Sequence, residues 1–117
     1  MKRVYIVDDS VKLRKRLHEL LSDVENVQVV GQAGNADEAL NDICILKPDT
    51  VLLDIRLPGK SGIQLLGEIK KLQPEIMVII MTNYNYPQYQ QQSIRAGADH
   101  FFNKTREFES IIEVLKQ

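Results

Sequence analysis

Five times over, a short apolar run gives way to a segment with helical period, and this alternation constrains the fold more than any other feature of the chain. Strands are expected at roughly 3–7, 27–33, 50–54, 76–81 and 99–103. Between them, Leu13, Leu17, Leu20, Leu21 and Val24 fall on one helical face, as do Ala36, Ala39, Leu40, Ile43 and Cys44. Leu65, Ile69 and Leu72, with Leu66 beside them, make a third stripe, and Phe108, Ile111, Ile112 and Leu115 a last one. Segment 86–96 is also expected to be helical, although Gln88, Gln90, Gln91 and Gln92 leave it little apolar face. Stop and start signals agree with these bounds. Ser61 and Gln64 have capping-box spacing, Asn35 and Thr105 stand where helix caps are needed, and Gly97 suits a left-handed stop.

A strand–helix repeat of this kind implies an α/β fold, a doubly wound five-stranded parallel sheet with helices on both faces. Runs 4–7, 51–53 and 76–81 are continuously apolar and belong in the middle. The run from Val27 to Gln32 alternates and reads as an edge. With right-handed crossovers, strand order 2-1-3-4-5 satisfies both points. No low-complexity linker, repeat or charge block divides the chain, so residues 1–117 are expected to form one domain.

In such a sheet, ligands bind beyond the carboxyl ends of the strands, at the switch between strands 1 and 3. The first strand ends in Asp8 and Asp9, the third in Asp54 and the fourth in Thr82, and Phe101-Phe102 stops just short of Lys104. One edge thus gathers three acids, a hydroxyl and an ammonium. Hard carboxylate oxygens suit Mg²⁺. An aspartate beside that ion can act as a nucleophile toward phosphorus. Thr82 and Lys104 can then serve the oxygens of a phosphoryl group. Singly, each residue has a plainer reading: Asp9 or Ser10 as a helix cap, Asp54 as turn chemistry, Lys104 as a solvated side chain, Thr82 as a strand end. Their joint placement favours the site.

The totals exclude several classes. With 15 Lys+Arg against 16 Asp+Glu the net charge is -1, which argues against nucleic-acid binding by this domain alone. Cys44 is the one cysteine, so no internal disulfide forms, consistent with a reducing, cytoplasmic setting. No apolar stretch is long enough to span a bilayer.

At these residues the chain resembles the receiver domains of two-component response regulators, from Lys2 to about Gln117. Val7-Asp8-Asp9 is similar to the family's acidic pair. Leu53-Asp54 through Pro58-Gly59 is similar to its phosphoacceptor strand and loop, Met81-Thr82 to its switch hydroxyl, and Ala96-Gly97-Ala98 with Phe101 and Lys104 to its last strand. The family shares the flavodoxin-like strand order, so topology and resemblance are not independent readings. The resemblance implies that Asp54 accepts the phosphoryl group and that Asp8, Asp9, Asp54 and the Arg56 carbonyl hold Mg²⁺. It implies that Thr82 and Lys104, with Asn83 alongside, serve the phosphate, and that Phe101 changes rotamer on activation. The implied function is a phosphorylation-dependent switch, not a general enzyme, fed by a histidine kinase or phosphotransfer protein. It would act on a downstream protein, an output domain outside this sequence, or a second copy in a phosphorylation-dependent homodimer. The chain stops just after the fifth helix, consistent with a stand-alone receiver or with part of a longer regulator.

Two departures stand out. Thr105 follows Lys104 where the family usually has proline, so a cis bond there would cost about 3 kcal/mol. Asn83 replaces a usually small residue, and with Arg56 and Tyr84 it is expected to hinder water at Asp54. Outside the site, Lys12, Arg14, Lys15 and Arg16 read mainly as a solvated face, with an acidic partner as the alternative. Tyr84, Tyr86, Pro87 and Tyr89 read as packing or a partner surface. His18 and His100 lack a third metal ligand nearby, and Cys44 is expected in the core. The rival functions are an Mg²⁺-dependent aspartate-nucleophile phosphatase and a receiver-like binding module that takes no phosphate. The first would carry a second acid where Arg56 stands, and the complete site counts against the second.

Overall fold

The computed structural model describes residues 1–83 and 86–117. Its elements run β1 (Lys2–Val7), α1 (Val11–Ser22), β2 (Val27–Ala33), α2 (Ala36–Leu46), β3 (Thr50–Leu53), α3 (Gly62–Leu72), β4 (Met77–Thr82), α4 (Pro87–Arg95), β5 (His100–Asn103) and α5 (Phe108–Leu115). The strands form one sheet in the order β2-β1-β3-β4-β5, and every pairing is parallel. The expected fold class and order hold, with β2 at an edge.

Strand side chains alternate between faces, so each central strand feeds two cores. Tyr5, Val7, Val51, Leu53, Val78 and Ile80 pack on one face with Ala39 and Ile43 of α2 and Leu65, Leu66 and Ile69 of α3. Val4, Ile6, Leu52, Ile79 and Met81 pack on the other with Leu17 and Leu21 of α1 and Ile111 and Leu115 of α5. Each fully buried Leu or Ile contributes about 1.5–3 kcal/mol, enough in sum to carry a costly cluster of charges at one edge.

Caps fix where the helices begin. Ser10, Asn35 and Ser61 accept backbone N–H bonds from Leu13, Glu38 and Gln64. Gly97 turns the chain at φ +107°, a conformation open to glycine and strained for other residues. Pro87 opens α4, where no side chain caps the helix.

Four expectations fail locally. Cys44 is exposed, because the buried stripe of α2 runs through Ala36, Ala39 and Ile43 and the next residue lies about 100° round the helix. Leu20 is likewise turned outward from Leu17 and Leu21, and Leu72 at the end of α3 is exposed while Leu65, Leu66 and Ile69 are buried. Thr105 does not cap α5; the helix starts at Phe108 after Glu107, without a side-chain cap bond. The turn before it is shaped by Asn103, whose Oδ1 accepts from the Thr105 and Arg106 N–H groups at 2.9 and 2.8 Å.

Candidate phosphoryl and metal site

Four site residues leave the sheet within one step of the last ladder bonds. Asp54 N–H donates to Val7 O at 3.0 Å and Asp8 N–H to Ala33 O at 3.1 Å. Lys104 N–H donates to Thr82 O at 3.2 Å. Val7 lies level with Leu53, and Leu53 with Ile80, so the ends of β1, β3 and β4 open into one crevice. Asp8 and Thr82 are fully buried and Asp54 nearly so, whereas Asp9 is exposed.

The three acids form one tight group. Asp8, Asp9 and Asp54 each offer a carboxylate oxygen, and these oxygens lie within 4.8 Å of one another. Lys104 crosses the sheet to meet them, its Nζ 2.9 Å from Asp54 Oδ2 and 3.0 Å from Asp8 Oδ2. Burial opposes the charge on that ammonium. The hydrogen bonds and attraction of Asp54 and Asp8 outweigh it and hold the Lys104 pKa above its ordinary value.

The remaining oxygens are engaged unequally. Asp8 Oδ1 accepts from Ser10 N–H at 2.9 Å. Asp54 Oδ1 faces a longer contact from Arg56 N–H at 3.4 Å, a weak bond that leaves this oxygen the more available for chemistry. The Lys104 ammonium meets two of the three grouped carboxylates, Asp8 and Asp54, and all three acids offer hard oxygen donors. That donor set fits a divalent cation such as Mg²⁺.

Other expected residues take the following places. Arg56 and Asn83 are exposed at the rim. Phe101 is half-buried against the core face shared with Tyr89, Ala96 and Ala98. Beside the rim, a groove of ≈ 420 Å³ runs from Arg56 and Leu57 to Tyr89 and Gln92 on α4. Tyr86 meets Tyr89 edge-on at 5.7 Å, and Tyr86 itself is exposed. Tyr84, expected to shield the acceptor, lies outside the described residues. His18 is exposed, while His100 stacks on Phe102. No cis peptide occurs among the described residues, the Lys104–Thr105 bond included.

Several supports were not foreseen. Arg14 leaves the basic stretch of α1 to donate to the Asp8 carbonyl and, through Nε, to Gln32 at 3.2 Å. It braces the acidic loop instead of facing solvent, so the stretch is not uniformly solvated. Asn103 shapes the loop that carries Lys104, and Thr105 Oγ1 donates to Asn83 Oδ1 at 2.7 Å. An asparagine directly before a lysine-bearing turn was the one signal available for the first. Residues 4–116 match the family model described as the response regulator receiver domain. The chain is 32% identical over 117 residues to the response regulator GacA of Pseudomonas aeruginosa, covering all of this chain and 55% of that protein. The chain therefore spans about half the length of that relative. It also resembles the crystal structure of a DNA-binding response regulator of the LuxR family from Staphylococcus aureus, at TM-score 0.92 and 28% identity, covering 99% and 97% of the two chains. A third likeness is to a response regulator protein from Burkholderia pseudomallei, crystallised with a phosphorylated aspartic acid, calcium ion and citrate. Its TM-score is 0.86 at 28% identity, covering 98% of this chain and 66% of that one.

Proposed function

The chain belongs to the response regulator receiver domain family, a phosphorylation-dependent signalling domain of two-component systems, and on that premise we propose that Asp54 is its phosphoacceptor. The observation that carries this reading is the Lys104 ammonium bridging Asp54 and Asp8 inside a group of three acids. The phosphorylated aspartic acid of the Burkholderia relative supports it.

Receiver domains bind Mg²⁺ at an acidic pocket, and the carboxylates of Asp8, Asp9 and Asp54 with the Arg56 carbonyl would hold it here. When bound, the ion supplies charge neutralisation for a phosphoryl oxygen. Asp54 Oδ1 attacks phosphorus and a new O–P bond forms. The donor's P–N or P–O bond breaks, and its electron pair leaves with the donor group. Lys104 keeps its proton and turns from the Asp54 carboxylate to a phosphoryl oxygen, while the Thr82 hydroxyl donates to another. Drawn inward, Thr82 would free space behind β4 for Phe101 to turn, and Asn83 would move with it. The surface of α4, β5 and α5 would then change, with Tyr86 and Tyr89 at its edge. Carrying such an element from mostly off to mostly on takes about 5.5 kcal/mol of differential stabilisation.

Residues 1–117 then act as one receiver domain. Its phosphate comes from a histidine kinase or phosphotransfer protein, and its output is a downstream protein, an output domain or a phosphorylation-dependent second copy. Among the described residues no helix is long and apolar enough to cross a membrane. A phosphatase reading lacks support, since Arg56 stands where a second acid would be needed. The test is intact mass after incubation with acetyl phosphate, with and without Mg²⁺. One phosphoryl group should be gained only with the cation, and Asp54→Asn should gain none. Equal labelling of that variant would move the acceptor elsewhere. Asp9→Ala should weaken Mg²⁺ binding strongly while Glu113→Ala should not.

A further inference from the structure

The loop after β5 must hold a long, flexible lysine in place without the proline that usually stiffens it. What holds it is a set of polar contacts centred on two neighbours of Lys104. On one side, Asn103 Oδ1 accepts from the Thr105 and Arg106 N–H groups, and Asn103 N–H donates to Glu107 Oε1 at 2.9 Å. On the other, Thr105 Oγ1 reaches Asn83 Oδ1 at 2.7 Å, joining two loops 22 residues apart in sequence. Asn83 and Thr105 each stand one residue beyond a group assigned to the phosphate, Thr82 and Lys104. The ladder bond from Lys104 N–H to Thr82 O lies directly beneath them.

We propose that the Thr105 hydroxyl and the Asn83 side chain form a clasp that fixes the Lys104 loop against the end of β4, making both positioning residues for the phosphate grip. The inference rests on Asp54 being the acceptor. A lysine stem loses substantial rotamer freedom when its ammonium is fixed. A loop free to shift would put that ammonium off its target, and displacements of an ångström are costly in group transfer. The clasp is exposed and competes with water, so its effect is moderate.

The test uses the full chain with acetyl phosphate at saturating Mg²⁺. Thr105→Val and Asn83→Ala should each slow labelling by about threefold to tenfold, the range one net hydrogen bond supports. The double variant should be no slower than the slower single variant, because both remove one bond. Thr105→Ser keeps the hydroxyl and should keep the rate, and Mg²⁺ affinity should be the same throughout. A wild-type rate in Thr105→Val, multiplying effects in the double variant, or a slow Thr105→Ser would each overturn the clasp. Amide hydrogen exchange at Lys104 separates this from the acceptor assignment, since it needs no phosphate. Exchange should speed in Thr105→Val and Asn83→Ala but not in Thr105→Ser. Unchanged exchange overturns the clasp whatever becomes of Asp54.

Discussion

Replacing Lys104 by methionine keeps the length of the side chain and removes its charge. In the metal-free protein this leaves Asp8 and Asp54 buried, adjacent and without their shared counter-charge. Breaking a buried pair by removing one partner costs about 3–5 kcal/mol. The low end applies here, because Asp9 is exposed and the crevice opens to water at that side. A loss of about 3 kcal/mol in a domain of this size lowers the melting temperature by roughly 12 °C. A cation among the acids would replace the missing charge. The deficit should therefore shrink in Mg²⁺, and the variant should bind the ion about tenfold more tightly, as one removed like charge at moderate effective dielectric implies. The assay is thermal and urea unfolding by circular dichroism, in EDTA and in MgCl₂, with calorimetric titration of the ion. A Lys104→Met protein as stable as wild type in EDTA, or one with unchanged Mg²⁺ affinity, would refute the claim that this ammonium compensates the acids.

The raised Lys104 pKa gives a pH window: its stabilisation is whole below the ordinary lysine value of 10.5 and is lost as pH rises through the higher folded value. Unfolding curves above that pH should fall more steeply in wild type than in Lys104→Met. Tyr5 is buried and donates to Asp42 Oδ2 at 2.6 Å, with burial first and that bond second raising its pKa. Tyr5→Phe should cost about 1.5 kcal/mol by urea denaturation, since half-buried Asp42 regains water in exchange for the bond. A methyl group on Gly62 would overlap the Asp54 carbonyl oxygen, so Gly62→Ala should shift the loop after Asp54, slowing phosphoryl labelling by acetyl phosphate and lowering the melting temperature.

The sheet was legible because its information is local: continuous apolar runs mark central strands, and β2 shows its edge position through alternation. Asp8 and Asp54 were legible because each follows directly on such a run, so strand order alone brings them together. What stayed hidden depends on which way a side chain turns after the backbone is set. Cys44 sits one residue past the buried stripe of α2, a rotation that composition does not report. Arg14 looks like its neighbours Lys12 and Lys15 until the fold presents it with the Asp8 carbonyl. The bridge from Lys104 to Asp8 spans 96 residues, and the Asn83–Thr105 bond joins two loops with no local pattern between them.

The central claim is that the carboxylate of Asp54 takes the phosphoryl group as an acyl phosphate. Borohydride reduces such a group to an alcohol, turning the modified aspartate into homoserine, which peptide mass mapping locates by residue. After acetyl phosphate and Mg²⁺, the account predicts homoserine at position 54 and unaltered aspartate at positions 8 and 9. Homoserine at either of those positions, or none in a chain that carries a phosphoryl group, would contradict it.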